Sequence, residues 1–113
     1  MIKLTVMYNL PLGADHEEFI RWRTTEHQEE NMSITGVLKS DFYVIRDALK
    51  GETVSKMEKL PYRYITEVYW PDMEAFKAAF FDPDYQKELA ESLKKIEDPI
   101  FLVSEEMLSE SNE

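Results

Sequence analysis

The 113-residue chain contains no cysteine, which excludes disulfide bridges, thiolate nucleophiles and Cys-based zinc or iron–sulfur sites. Glycine and proline are scarce, at 3 and 5 residues, and this argues against a fibrous or disordered chain. No stretch approaches the ~20 apolar residues that span a bilayer, and residues 1–8 are too short and too alternating for a signal peptide. We therefore expect a globular, cytoplasmic protein without a membrane partner.

Positive charge is also in short supply. The chain has 13 Lys and Arg against 23 Asp and Glu, a formal net charge of -10. A phosphate backbone or an anionic surface would be repelled on average, so nucleic acid is not an expected partner. Four of the acids lie in residues 104–113, a run typical of a solvated tail. The length fits a single domain, which we expect over residues 1–108, followed by an acidic tail over residues 109–113.

Alternating and helical patterns of apolar residues divide the chain into seven elements. The sequence after Asp15 is typical of a helix start, because Glu18 follows three residues later. The patterns predict strands over residues 2–8, 35–46, 62–70 and 100–103, and helices over residues 16–31, 71–81 and 84–96. Residues 47–61 are polar and lack a strong periodicity, so we expect a long, mobile hairpin loop in a position to cover a pocket.

The resulting order, β-α-β-β-α-α-β, is that of a ferredoxin-like α+β domain, with an antiparallel sheet that carries helices on one face. The strands have large apolar side chains on both faces. In the third strand, Tyr64 and Val68 point to one side while Ile65 and Tyr69 point to the other. One helical layer cannot bury both faces. The pattern therefore predicts a two-fold symmetric homodimer, in which two sheets pack face to face as a dimeric α+β barrel.

Four segments resemble the dimeric α+β barrel superfamily, and within it the EthD-like and REDY-like groups. They are FIRWRTTEH (residues 19–27), GV (36–37), EVYWPDMEAF (67–76) and DPIFLVSE (98–105). His27 and the Gly-Val pair match the EthD-like layout, with Gln28 where those proteins have Pro. Residues 8–10 (YNL), Trp22 and residues 99–105 resemble REDY-like proteins, which are associated with pigment-type metabolism. The superfamily includes cofactor-free monooxygenases, polyketide cyclases, lactone isomerases and haem-handling enzymes, so the resemblance by itself leaves the reaction open.

An ionisable cluster continues the apolar face of the first predicted helix. Arg23 and His27 lie one turn apart there, together with Glu26 and Glu30. Such a cluster marks a pocket or closes a structural ion-pair network. His27 is the candidate proton acceptor or donor, or else a histidine that complements the helix dipole at a C-terminus. Arg23 would hold a carboxylate or enolate oxygen, or else pair with Glu26, Glu30 or another acid.

Aromatic side chains on the strands and the first helix could line a pocket for a planar ligand, with phenolic hydroxyls that orient it. The alternative is a role in the core or the dimer interface. His16 and His27 are eleven positions apart, about 16 Å along one helix, and cannot share a metal ion. One axial histidine would be enough for haem, and that alternative stays open.

The leading hypothesis is a small-molecule enzyme that acts without a metal or nucleotide cofactor. It would perform proton transfer, cyclisation or oxygenation on an aromatic, pyrrole-like or polyketide-like substrate. The alternative is a non-catalytic ligand-binding or stress-associated homodimer. The predicted catalytic residues are His27, Arg23 and Tyr64, and the predicted ligand-binding residues are Tyr8, Trp22 and Tyr43.

Overall fold

The computed structural model describes residues 1–52 and 55–113, and it has the predicted α+β architecture. A four-stranded sheet with the order β2-β5-β1-β6 is antiparallel throughout, and β1 and β5 are its central strands. The helices pack on one face of this sheet. In the described residues the elements are β1 (Ile2–Asn9), α1 (His16–Thr24), α2 (Glu26–Met32), β2 (Lys39–Val44), β3 (Leu49–Lys50), β4 (Ser55–Lys56), β5 (Tyr64–Trp70), α3 (Met73–Phe80), α4 (Pro83–Leu93) and β6 (Glu97–Glu105).

The core lies between the helices and every second residue of the central strands. The register pairs Leu4 with Val68, so both side chains point to the same, helix-covered face of the sheet. Phe19 of α1 and Phe76 of α3 pack against this face from the helical layer and complete the core. The alternation predicted for β1 and β5 is thereby confirmed, since their even-numbered residues are buried.

The opposite face of the sheet has no helix against it in the described part of the chain. Its side chains come from the odd-numbered residues of β1, β2 and β5 and the even-numbered residues of β6. Tyr43 is 49% exposed and Leu102 is 47% exposed in the protomer. The large apolar groups on this face are Met7, Tyr43, Ile65, Tyr69, Ile100 and Leu102.

The single helix predicted over residues 16–31 is wrong in one respect, because the chain breaks it into α1 and α2. Thr25 between them has φ −119° and ψ −90°, outside the helical region. The hydroxyl of Thr24 donates to the carbonyl of Ile20 at 2.7 Å, and that of Thr25 donates to the carbonyl of Arg21 at 2.6 Å. These side-chain bonds compete with the regular backbone ladder. As a consequence, His27 is the second residue of a new helix.

The predicted strand over residues 35–46 is shorter in the structure, because residues 34–37 form a turn. Gly36 has φ +80°, a backbone conformation that favours glycine. A Cβ atom at this position would also lie 3.3 Å from Cδ1 of Trp70. The close approach of Gly36 to the buried indole therefore fixes where β2 begins.

The last strand, predicted over residues 100–103, extends at both ends to Glu97–Glu105. Asp98 has φ 52°, and the pairing with β1 shifts register between Met7 and Asn9. This bulge and the edge position of β6 accommodate Pro99, which has no N–H to donate to a neighbouring strand. The strand therefore includes Asp98 and Pro99, which lie outside the predicted range of residues 100–103.

The described part of the connection over residues 47–61 contains two short strands that the sequence patterns do not predict. Strands β3 and β4 pair antiparallel in it, with Leu49 opposite Lys56. Thr53 and Val54, which belong to the predicted mobile loop, lie outside the described residues. Among the helices that the structure describes, none is long and apolar enough to cross a membrane.

Candidate functional site

A cavity of about 70 Å³ lies between the helix-covered face of the sheet and helices α1, α2 and α4. Most of its wall is apolar, with side chains from β1, β5, α4 and β6. A second hollow of about 40 Å³ adjoins it between α2 and α4 and shares five of its residues, among them His27 and Tyr85. Polar groups enter the wall of the main cavity from Tyr8, Arg23, His27, Asn31, Thr66, Tyr85 and Ser92.

Arg23 contributes a buried cation to this wall, since its side chain is only 1% exposed. Its Nε donates to Oγ1 of Thr66 at 3.2 Å, Nη1 donates to Oε1 of Gln28 at 2.8 Å, and Nη2 donates to the carbonyl of Asp41 at 3.2 Å. The guanidinium carbon lies 5.0 Å from the ring centroid of Phe42. All these partners are uncharged groups. Burial lowers the pKa of Arg23.

The guanidinium of Arg23 has no carboxylate oxygen within 4.0 Å in residues 1–52 and 55–113. The alternative that Arg23 pairs with Glu26 or Glu30 is therefore wrong. Glu26 pairs with Arg21 instead, at 3.1 Å. The carboxylate of Asp41 pairs with Lys39 at 3.3 Å, on the opposite face of the sheet.

Tyr8 and Thr66 continue the polar chain from Arg23. The hydroxyl groups of Tyr8 and Thr66 are 2.9 Å apart and form a buried hydrogen bond. Burial raises the pKa of Tyr8, and the hydrogen bond with Thr66 and the charge of Arg23 offset only part of that effect. The phenol of Tyr8 therefore stays protonated at neutral pH and can donate a hydrogen bond.

His27 presents a neutral imidazole to the cavity. Burial, reinforced by the charges of Arg23 and Lys95, lowers its pKa from 6.5 to about 4. Its Nδ1 is buried and has no hydrogen-bond partner among the described residues. The carboxylate oxygen Oε2 of Glu30 lies 3.6 Å from Nδ1, which is too far for a hydrogen bond. The ring stacks on Trp22, with centroids 4.4 Å apart.

The structure brings four of the six predicted site residues together at the cavity: His27, Arg23, Tyr8 and Trp22. Tyr64 is not among the residues that line it. Its ring stacks between those of Tyr8 and Phe42, and its hydroxyl is hydrogen-bonded to Nδ1 of His16 at the start of α1.

Tyr43 is also absent from the cavity wall. It lies on the opposite, open face of the sheet, because odd-numbered residues of β2 point away from the helices. The interpretation of His27 as a helix-dipole partner at a C-terminus is wrong as well, since His27 is near the N-terminus of α2 and its ring is neutral.

Several polar residues of the site are missing from the sequence-based prediction. Gln28 accepts a hydrogen bond from Arg23 and donates to the carbonyl of Ser40 at 3.0 Å. Asn31 and Thr66 line the cavity and are buried. Thr66 could have been identified from the sequence, because it is a polar residue at an inward-facing position of a buried strand, with inward-facing apolar residues two positions before and after it. The signal for Gln28 is its place in the EthD-like pattern, where a Pro is expected.

The size of the cavity sets a limit on what it can hold. Drug-sized ligands occupy pockets of roughly 300–1,000 Å³, so a cavity of about 70 Å³ would enclose only part of such a ligand. In the described ranges, no group of three or more His, Asp or Glu side chains could hold a metal ion.

The chain belongs to the EthD domain family, whose sequence model matches residues 12–98. This match confirms the resemblance to EthD-like proteins that the sequence indicated. No curated protein sequence matches the chain.

Solved structures confirm the ferredoxin-like fold. An EthD family protein from Bacillus halodurans superimposes with a TM-score of 0.69 and 18% identity, over 95% of this chain and 99% of that chain. A DABB family protein with a ferredoxin-like fold from Mesorhizobium loti gives a TM-score of 0.67 and 16% identity, over 94% and 96%. SnoaB from Streptomyces nogalater, a cofactor-independent oxygenase, gives 0.65 and 10%, over 96% and 94%. At these identities the likeness shows the fold alone.

Proposed function

We propose that this EthD-family chain is a small-molecule enzyme in which His27 accepts a proton from the substrate without a metal or nucleotide cofactor. The observation that carries the proposal is the neutral imidazole in the cavity wall, with a buried Nδ1 that has no hydrogen-bond partner in the described residues. A buried polar atom without a partner is costly and is common at functional sites.

Arg23 and Tyr8 are suited to the charge that proton removal creates. When a carbon next to a carbonyl loses its proton, negative charge moves to the oxygen atom as an enolate. A guanidinium and a protonated phenol in a dry cavity stabilise such an oxyanion strongly. Both groups line the same cavity as His27. The substrate would be a small aromatic or pyrrole-like compound, or a short polyketide-like one, with an acidic C–H or O–H.

A base whose pKa is about 4 is weak in the empty protein. Two of the causes are the positive charges of Arg23 and Lys95. A substrate oxyanion next to Arg23 would offset part of this repulsion and raise the pKa of His27 during the reaction. The same fold in SnoaB, a cofactor-independent oxygenase, supports chemistry of this kind without a cofactor.

We also propose that the protein acts as a homodimer through the open face of its sheet. The apolar side chains there would otherwise remain exposed, and a contiguous apolar face of this kind is typical of an interface. The DABB family, to which one structural relative belongs, has the same fold.

A second candidate function is ligand binding without catalysis. It is favoured by the hydrogen bonds that hold Arg23 to Thr66, Gln28 and Asp41, since such a rigid site can also serve binding alone. Neutral His27 would then be only a wall of the cavity.

Deuterium exchange separates the two candidates. A panel of small compounds with acidic C–H groups, including single-ring phenolic ketones and acylpyrroles, would be incubated with the protein in D₂O and followed by proton NMR. We expect at least one compound to exchange, and His27→Gln to slow that exchange by roughly 100-fold or more. His16→Gln, which removes the other histidine, is the matched control. An equal rate in His27→Gln would remove the proposed role of His27, and compounds that bind without exchange would favour the second candidate.

A further inference from the structure

The cavity wall carries one positive charge that no other group in the wall neutralises. Arginine keeps its proton in proteins, so buried Arg23 is a cation. The other titratable groups that line the cavity are uncharged at neutral pH. The pKa of His27 is lowered to about 4, that of Tyr8 is raised, and burial together with Glu88 raises the pKa of Tyr85 to about 12. A net positive cavity stands out in a chain whose formal net charge is -10.

The hydrogen bonds of Arg23 leave part of its donor capacity free. A guanidinium has five N–H groups. The contacts to Thr66, Gln28 and Asp41 use one N–H on each nitrogen, and a further contact from Nη2 to Oγ of Ser40 is long, at 3.5 Å. Among the described residues, Nη1 therefore has a second N–H without an acceptor. A buried donor in a cavity wall favours a ligand with an acceptor oxygen.

The nearby acids do not fill this role. The carboxylate of Asp41 points to the opposite face of the sheet and pairs with Lys39. Glu30 and Glu88 line the adjoining hollow between α2 and α4, and they are absent from the wall of the main cavity.

We infer that the ligand of this cavity is a small planar oxyanion, with a carboxylate or a comparable delocalised negative group that pairs with the guanidinium of Arg23. The inference rests on the proposed function, because it names the substrate class of the same site. Arginine is suited to this task, since the remaining N–H of Nη1 would donate a charge-assisted hydrogen bond to one oxygen of a carboxylate. The aromatic rings of Trp22 and His27, which stack on one another, would face the uncharged part of the ligand.

The test compares two probes of nearly equal shape, benzoate and its neutral amide, benzamide. Binding would be followed at neutral pH by NMR, from the indole N–H of Trp22 and the ring protons of His27. We expect benzoate to bind roughly tenfold or more tightly than benzamide, as the loss of a charged hydrogen bond predicts. Benzoate should also raise the pKa of His27, whereas benzamide should not. The charged or titratable groups around His27 in this comparison are Arg23, Lys95, Glu30 and Tyr85.

Variants of two arginines on α1 sharpen the test. Arg23→Met should abolish the preference for benzoate, while Arg21→Met should keep it, because Arg21 is an exposed residue paired with Glu18 and Glu26. If Arg23→Met fails to fold, Arg23→Lys retains the charge and should keep a reduced preference, and the wild-type probe comparison stands by itself.

The test distinguishes a failure of the anion inference from a failure of the proposed function. Equal affinity for benzoate and benzamide at Trp22 and His27 would overturn the anion inference and leave the proposed function standing. Benzoate contacts confined to surface lysines would also overturn the inference. If neither probe affects Trp22 or His27, the anion inference falls, and the deuterium-exchange panel alone decides the proposed function.

Discussion

The imidazole of His27 lies against the indole of Trp22, with ring centroids 4.4 Å apart and an interplanar angle of 21°. The amino group of Lys95 is 4.9 Å from the centroid of the same indole. Burial and the two nearby cations, Arg23 and Lys95, hold His27 in its neutral form. This relationship makes the protonation state of His27 a sensitive reporter of the cavity.

The stability of the fold should depend on pH through His27. The pKa of His27 falls from 6.5 in the unfolded chain to about 4 in the folded protein. Between these values the unfolded state binds more protons, so the contribution of His27 is fully present above pH 6.5 and is lost as the pH falls towards 4. We expect the free energy of unfolding to fall by at most about 3 kcal/mol from this source, at 1.36 kcal/mol per pKa unit.

Urea denaturation of the wild type and His27→Gln, above pH 6.5 and near pH 4, measures this contribution. The variant should lack this part of the acid destabilisation, and the control His16→Gln should retain it. Parallel pH dependence in the wild type and His27→Gln would show that His27 is protonated alike in the folded and unfolded states.

The hydroxyl of Thr66 should stabilise the fold, because both Arg23 and Tyr8 form hydrogen bonds with it. Thr66→Val removes the acceptor for Nε of Arg23 and the hydrogen-bond partner of the Tyr8 phenol while it keeps a similar volume. We expect a loss of about 1–3 kcal/mol in the free energy of unfolding, because buried polar groups lose their partners. Thr66→Ser keeps the hydroxyl and should cost less. Chemical denaturation checks the pair, and equal losses would mean that the methyl group matters more than the hydrogen bonds.

Alanine at the three glycines should have graded effects on thermal stability. Gly13 and Gly36 have φ of +83° and +80°, and alanine in this region costs roughly 1–2 kcal/mol. Gly36→Ala should cost more than Gly13→Ala, since only the former adds a 3.3 Å contact to Trp70. Gly51→Ala, at a site with open space, should change the free energy of unfolding by less than about 0.5 kcal/mol. A different order in thermal melts would contradict the geometry of the turn at Gly36.

A charge on the open face of the sheet should separate the proposed homodimer. Leu102 is 47% exposed in the protomer, so Leu102→Asp should leave the fold intact and abolish association. Leu12→Asp, at a fully exposed loop position, is the matched control. Sedimentation velocity should give a dimer for the wild type and the control and a monomer for Leu102→Asp. A monomeric wild type at micromolar concentration would remove the dimer proposal.

Much of the fold could be predicted because its signals are local. The alternation in β1 and β5 identifies the inward face, and the Asp15 cap, which accepts a hydrogen bond from the amide of Glu18, begins α1. The break at Thr25 could not be predicted, because the hydroxyl groups of two adjacent threonines decide it through bonds to the preceding turn. The pairing of Glu97 with Asn9 likewise needs the bulge at Asp98.

The candidate site was predictable in part for side chains on the helices and less so for those on strands. Arg23 and His27 line the same cavity as expected, but the break at Thr25 puts them on two helices, so their positions are not set by one helical face. Tyr8 and Tyr64 are direct neighbours in the sheet and share a face, yet their hydroxyl groups bond to different partners. Which tyrosine reaches the cavity depends on the rotamers that the packed core allows, and no local pattern encodes this.

The sequence by itself determined the antiparallel α+β architecture, the apolar second face of the sheet and the helical region that holds Arg23 and His27. These features follow from hydrophobic periodicity and capping residues, which act over a few neighbouring positions. Only the tertiary structure decided that Arg23 is buried among Thr66, Gln28 and Asp41, away from any carboxylate, and that His27 is neutral. Burial and the distances between charges depend on segments far apart in the chain, and these quantities set the chemistry of the site.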